Sequence, residues 1–374
     1  MKYSLTALSG VSALALLLAA GPALADTTSV SNNNFTTGAS SSNAFSFMGG
    51  STMSQTFSNT GTVTQVATPT ISTGGNAENF NTSGGNLFSG DVTGSTAWNN
   101  ALNTAASLMG TSNNSVMGGF ANGITGANSS NSNSLTANNS NTLSATDNAT
   151  IANILGVNAT TGGNSQSSNT LVNGGLMSGS VGVTSGITNN ANQVSGVAGA
   201  TVANNVAVTG QNLTTGFSSS NSNSVTANNS KSATLNNQAN ITNSQSLTAN
   251  TGGNAQNSNT TVDGMLQSGD ANLTTQVNTN ANNTSNMAVG SSANTTTVNT
   301  QNNTTGASSS NTNSVTANNS NTLSETNNAT VTNVVNENAT TGGNTSNSNT
   351  VGGGLTTGSA NFSFGSNTSV NTSN

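Results

Sequence analysis

A frame of glycine and asparagine returns four times along this chain, and its spacing limits what the chain can fold into. The frame opens at Gly38, Gly126, Gly216 and Gly306, with steps of 88, 90 and 90 residues. A second glycine follows 36 residues later, at Gly74, Gly162, Gly252 and Gly342, and a third closes each unit at Gly90, Gly179, Gly269 and Gly358. A repeat this long and this regular specifies like units that stack on their neighbours in an elongated array. The units are residues 38–125, 126–215, 216–305 and a shorter 306–374, preceded by a lead-in over 26–37.

The interior of the repeat carries a strand period. Nine residues after the first glycine stand Phe47, Leu135, Val225 and Val315, and at the twenty-fifth position stand Val63, Ile151, Ile241 and Val331. In an extended chain Asn133, Leu135 and Ala137 point to one side, while Ser134 and Thr136 point to the other. Apolar residues held at period two among small polar ones are a strand signal. The expected fold class is therefore all-β, as an elongated β-solenoid or a stacked β-repeat array.

The asparagines keep the same register. Gly74-Gly75-Asn76 is matched by Gly162-Gly163-Asn164, Gly252-Gly253-Asn254 and Gly342-Gly343-Asn344, and five residues after each asparagine come Asn81, Asn169, Asn259 and Asn349. Paired glycines supply backbone with φ > 0 and mark a corner between strands. Asparagine tolerates the same conformations, and it forms hydrogen-bonded ladders when copies stack at strand spacing. Coils of 18 residues would divide both 36 and 90, giving five rungs per repeat, although no marker recurs at every eighteenth residue. Long hairpins stacked into a sheet array fit the spacing as well.

Two stretches depart from the pattern. Trp98, Ala101, Leu102, Ala105, Leu108 and Met109 share a face at helical spacing after Ser95-Thr96, so a short helix near 96–109, stopped by Gly110, is expected as a cap. The first repeat is also rich in aromatics (Phe45, Phe47, Phe57, Phe80, Phe88), and Phe362 and Phe364 alternate near the other end. Both ends therefore read as atypical capping units.

Residues 1–25 read as a secretory leader. Lys2 gives the positive start, Val11–Ala20 the apolar run and Ala23-Leu24-Ala25 the small-x-small cleavage site, with Ala25 the last residue removed. A membrane anchor is the competing reading of this segment, and no later stretch approaches the length of a membrane-spanning helix. Downstream, Lys231 is the lone cation against eight acids, and the chain has no Cys, His or Arg. Clustered Lys and Arg hold phosphate backbones and anionic membrane surfaces, so neither nucleic acid nor such a surface is an expected partner. Low charge with abundant Asn and two prolines points to stacked β-structure. A flexible polar spacer is the alternative that composition alone leaves open.

Catalysis needs an activated nucleophile, paired acids or a metal. Lys231, with Asn141 and Asn321 as its counterparts, reads as a surface substitution. The acids Asp26, Glu78, Asp91, Asp147, Asp263, Asp270, Glu325 and Glu337 are scattered. Gly90-Asp91 and Gly269-Asp270 match each other, but Ser180 and Ser359 take that place in the other repeats, short of a calcium-binding repeat. No enzyme activity, cofactor or metal is expected.

The string Gly253-Asn254-Ala255-Gln256-Asn257 resembles curlin-type functional amyloid repeats, although the 90-residue period is far longer. The whole texture is similar to Asn/Thr-rich β-strand-repeat surface proteins of bacteria. That resemblance implies an adhesin, fibre or matrix component, secreted or held at the cell surface, that associates with itself and meets a surface or a polysaccharide. An ice- or carbohydrate-binding face is a second expectation, against which Thr274-Thr275 and Thr295-Thr296-Thr297 form no regular file.

Overall fold

The computed structural model describes residues 3–15, 24–34, 38–105, 108–109, 112–194, 197–199, 203–285, 287–289 and 295–373. Residues 16–23, with half of the expected leader's apolar run and Ala23, lie outside them, as do residues 106–107 of the expected helix. The described residues form an all-β structure.

Three sets of long strands recur in the order the chain visits them. The longest set is β3 (Ser42–Ala67), β6 (Ser130–Gly162), β9 (Ser220–Gly252) and β12 (Ser310–Gly342). The second is β1 (Tyr3–Ala15), β4 (Val92–Ala105), β7 (Val181–Val194), β10 (Ala271–Thr284) and β13 (Ala360–Val370). The third is β2 (Leu24–Asn34), β5 (Ser112–Asn122), β8 (Ala203–Leu213) and β11 (Thr295–Asn303). Pieces of two or three residues, such as Ser165–Ser167 and Leu176–Met177, link the first set to the second.

Each long strand pairs in parallel with its counterpart one repeat on, so the sheets run β12-β9-β6-β3, β1-β4-β7-β10-β13 and β2-β5-β8-β11. The pairing of β6 with β9 runs from Ser130↔Ser220 to Gly162↔Gly252 without a slip. Partners are 88 to 90 residues apart, as the hydrogen bonds Asn43–Asn131, Asn100–Asn189 and Asn131–Asn221 show. One repeat therefore makes one tier of the stack, and the 18-residue rung is overturned. The glycines 36 residues apart are successive corners within a tier, and equivalent residues meet only after the whole repeat. Hairpins are absent among the described residues, where every ladder is parallel.

Within a tier the long strand forms one wall, and the second and third sets run back along it as the other. Leu155, Val157 and Ala159 meet Val181, Val183 and Ile187 across the core, while Leu135 and Ala137 meet Val206 and Val208. Strand periodicity places these residues: along β6 buried and less buried positions alternate up to Thr161, where the corner begins. Leu135, Val225, Ile151 and Ile241 are fully buried, whereas Val315 in the last tier is 45% exposed.

The helix expected near 96–109 does not form. Val92–Ala105 is strand β4, and Leu108–Met109 is a short strand beyond it. Trp98 and Leu102 satisfy helical spacing and strand alternation alike, and with Thr96 and Asn100 they all face the core. The neighbouring tier decides between the two: Trp98 pairs with Ile187 and Asn100 with Asn189, so a helix here would forfeit a ladder that β7 already offers.

Tyr3–Ala15 pairs with β4, and β2, which contains Ala25, pairs with β5.

Candidate binding surfaces

The corner glycines have the backbone their sequence requires. Gly74 and Gly75, and the equivalent pairs at 162–163, 252–253 and 342–343, all have positive φ, from 66° to 114°. The opening glycines serve another purpose. A Cβ on Gly216 would lie 2.6 Å from the backbone of Gly126, and one on Gly306 equally close to Gly216, so the backbones of neighbouring tiers leave no room for a side chain here. A serine hydroxyl three residues on, in Ser41, Ser129, Ser219 and Ser309, donates to the glycine carbonyl and closes the turn. The closing glycines are fastened by threonine: Thr73, Thr161, Thr251 and Thr341 donate to the carbonyls of Gly90, Gly179, Gly269 and Gly358.

The asparagines after the corners make ladders and ties together. The backbone N–H of Asn76 donates to Asn164 Oδ1, that of Asn164 to Asn254 Oδ1 and that of Asn254 to Asn344 Oδ1, at 3.2 to 3.3 Å. The side-chain amides of the same residues donate to the carbonyls of Phe88, Met177, Gln267 and Thr356 and hold the following segment in place. Asn81, Asn169, Asn259 and Asn349 repeat the scheme, the N–H of each of the first three donating to the next tier's Oδ1.

Ladders also run through the core, where a buried amide has to be satisfied internally. Asn43 Nδ2 donates to Asn131 Oδ1, Asn131 to Asn221 and Asn221 to Asn311, at 2.8 to 2.9 Å. Asn153, Asn243 and Asn333 form another such file, at 2.7 Å per step. Asn100 and Asn189 on the opposite wall cross-link it, donating to Asn153 and Asn243 at 3.1 Å. A residue with positive φ recurs at Asn103, Asn192, Asn282 and Asn371, and these four make a further ladder at 2.9 to 3.0 Å. The donors in these core files all point from lower to higher residue number, so each file has a direction.

Charge on the long wall faces inward. Lys231 is 3% exposed, which corrects its reading as a surface substitution. Its parity with Val225 and Asn229, six and two residues away, was the available signal, since side chains two apart share a face. Burial lowers the Lys231 ammonium from its usual range. Asp147, 2% exposed, receives a 2.6 Å hydrogen bond from Asn59, yet burial still pushes its carboxyl up. Asn237, its partner in the next tier, donates to Asn327, while Asn237 Oδ1 is buried with no hydrogen bond among the described residues. The file breaks between Asp147 and Asn237.

The outward positions of the same strands carry no charge. Thr136, Thr226 and Thr316 stand in one file, Ser134, Ser224 and Ser314 in the next, and Ser140, Ser230 and Ser320 in a third. Neighbouring files lie about 7 Å apart along the strand and tiers about 4.8 Å apart across it, giving a grid of hydroxyls and amides. These files lie on the long strands, away from Thr274-Thr275 and Thr295-Thr296-Thr297, and the register that forms them is not written in any single repeat. A shallow groove of about 220 Å³ interrupts the grid where Pro69 breaks the first long strand, lined by Thr68, Pro69, Thr70, Gly156, Asn158 and Thr248. Among the described residues no helix is long and apolar enough to cross a membrane, and no three acids gather into a group that could hold a metal ion.

No protein-family model, curated protein or solved structure matches this chain.

Proposed function

We propose that this chain is a secreted structural and adhesive protein of the cell surface or extracellular matrix. In this reading it is an elongated β-solenoid of four roughly 90-residue repeats, released from its leader after Ala25 and able to associate with itself. One observation carries the proposal: equivalent residues of successive repeats pair in parallel and in register while the long wall's outer face carries no charge. Such an array offers length, stiffness and a large uniform surface, the attributes of a fibre or matrix component. It is poorly suited to chemistry, which needs groups of different kind held at one place, and we assign it no enzyme activity.

The test is made on the cell that produces it. Antibody labelling by electron microscopy is expected to place the protein outside the cell, and the exported chain is expected to begin at Asp26. Labelling confined to the cytoplasm, or an exported chain that keeps residues 1–25, would refute this reading.

The regular hydroxyl files favour a second reading, a face that takes a polysaccharide or ice. Cosedimentation with insoluble polysaccharides and a thermal-hysteresis assay decide it, and no effect in either removes it. The alternative of a disordered polar spacer predicts a coil spectrum in circular dichroism, whereas a β-structured array predicts a β-band.

A further inference from the structure

The outermost tier leaves core-facing residues uncovered. Val315 and Leu323 of β12 are 45% and 40% exposed, and Phe362 of β13 is 65% exposed, although their counterparts Val225, Ala233 and Leu273 are buried. The outer edges of β12 and β13 have no partner strand among the described residues, and neither does the outer edge of β3. Continuing the register by one tier sets Val315 over Phe47, Val331 over Val63 and the bulky Phe362 over Gly94.

The polar files continue through the same step. Asn311 ends a file in which each amide donates to the next tier, its own amide resting 3.4 Å from Thr215 Oγ1 and Ser309 Oγ, and Asn43 begins one with its carbonyl turned the other way, because Asn43 Nδ2 donates into the stack. Asn371 and Asn103 stand in the same relation. Thr368 falls opposite Asn100, whose Oδ1 is buried and lacks a hydrogen bond among the described residues. Apolar packing, file direction and the orphan acceptor all fit one occupant, a second copy of this chain.

We propose that copies add head to tail, the β12–β13 edge of one receiving the β3–β4 edge of the next in the same parallel register, with Glu325 and Glu337 as the gate on that contact. This rests on the structural reading above and specifies its contact. The interface is heterologous and leaves the same edge open after each addition, so growth is linear. Glu325 accepts hydrogen bonds from Asn327 and Ser373, while Glu337 stands in line with Leu247. In the stack they meet Phe57 and Pro69, and a charged carboxylate resists that burial. The other titratable groups on the long wall are Lys231, one tier away and four residues along, and Asp147, two tiers away and two residues along. None is on β7, β10 or β13, nor on β3 or β4. The leader strand β1 occupies the edge of β4 that the neighbour's β13 requires, so docking follows removal of the leader.

The experiment uses the protein as exported by the producing cell. Mass-per-length measurement by scanning transmission electron microscopy is expected to give one chain per about 19 Å, four tiers at the strand spacing. Glu325→Gln with Glu337→Gln is expected to lower the critical concentration at neutral pH by about tenfold, since a neutral amide carries no charge to desolvate. Val315→Lys with Phe362→Lys, at sites already exposed in the single chain, is expected to abolish fibres and leave the β-spectrum unchanged. A different mass per length, fibres from the lysine variant, a critical concentration that the glutamines leave unchanged, or equal assembly with the leader retained would overturn the proposal. Monomeric protein at the cell surface would sink this inference alone, whereas fibres in vitro from a protein confined to the cytoplasm would sink only the proposed function.

Discussion

Replacing Asp147 by asparagine should make the protein more stable. In the file Asn59, Asp147, Asn237, Asn327 the second member is the one carboxylate, and it can accept a hydrogen bond from Asn59 but, ionised, can donate none onward. Asn237 Oδ1 is buried without a donor as a result. Leaving a buried acceptor unsatisfied costs about 1–3 kcal/mol. An amide at position 147 accepts from Asn59 as before and presents Nδ2 to Asn237, closing the file as Asn221 does between Asn131 and Asn311. The expected gain at pH 7 is therefore about 1–3 kcal/mol, before any relief from removing a buried charge.

The pH dependence gives a sharper test than the size. Burial raises the Asp147 carboxyl above its ordinary value of 3.8, so the folded state holds this proton more tightly than the unfolded chain. The associated stability is fully present below 3.8 and is lost as pH rises through the folded value. A protonated Asp147 can also donate to Asn237 Oδ1. The advantage of Asp147→Asn should thus be largest at neutral pH and shrink in acid, measured as the difference between variant and parent in denaturant unfolding followed by circular dichroism. A variant that is less stable at pH 7, or an advantage independent of pH, would refute the argument.

Three further outcomes follow from the same geometry. Lys231→Asn should remove a buried ammonium whose lowered pKa makes the parent gain stability as pH rises toward 10.5, so thermal melts of the variant should lack that alkaline gain. Gly252→Ala should destabilise by more than about 2 kcal/mol, because the position has φ of 106° and the new Cβ would collide with the Gly342 carbonyl; an unchanged denaturation midpoint would contradict the corner assignment. Asn243→Ala strands the buried amide of Asn189, at about 1–3 kcal/mol, and takes one of two acceptors from the Asn153 amide and the donor to the half-buried Asn333 Oδ1, and hydrogen exchange should report the loss in the adjoining tiers.

The strands and corners were legible in the sequence because period two and paired glycines act locally. Leu135 and Ile151 announce a buried face, and Gly162-Gly163 announces a left-handed corner, whatever lies next to them. Tier length was not legible in that way, since 18, 36 and 90 are all compatible with the glycine spacing, and only pairing Asn131 with Asn221 selects 90. The same missing register hid the hydroxyl files and turned Trp98 and Leu102 toward a helix. Lys231 was misplaced for a different reason: composition argues that charge belongs outside, and parity, which argued the opposite, is the stronger constraint once a strand is fixed.

In-register stacking also accounts for why charge is so scarce, at 3% of the chain. A charged residue that recurred in every repeat would sit about 4.8 Å above its own copy, a repulsion of about 1 kcal/mol per step in water and about 3–4 kcal/mol at an effective dielectric of 20. The acids respect this column by column. Asp147 lies between Asn59 and Asn237, Glu78 is followed by Gln166 and Gln256, and Asp91 and Asp270 are separated by Ser180. Asn237→Asp breaks the rule in the core. With both carboxylates ionised it should cost about 3–4 kcal/mol, and the loss should shrink in acid, where one proton held between them supplies the hydrogen bond that Asp147 and Asn237 lack. Ser140→Asp with Ser230→Asp breaks the rule on the outer face, where water screens the pair, and should cost only about 1 kcal/mol and weaken further with salt. Equal losses for the two variants would mean that tier spacing does not set the charge content of this chain.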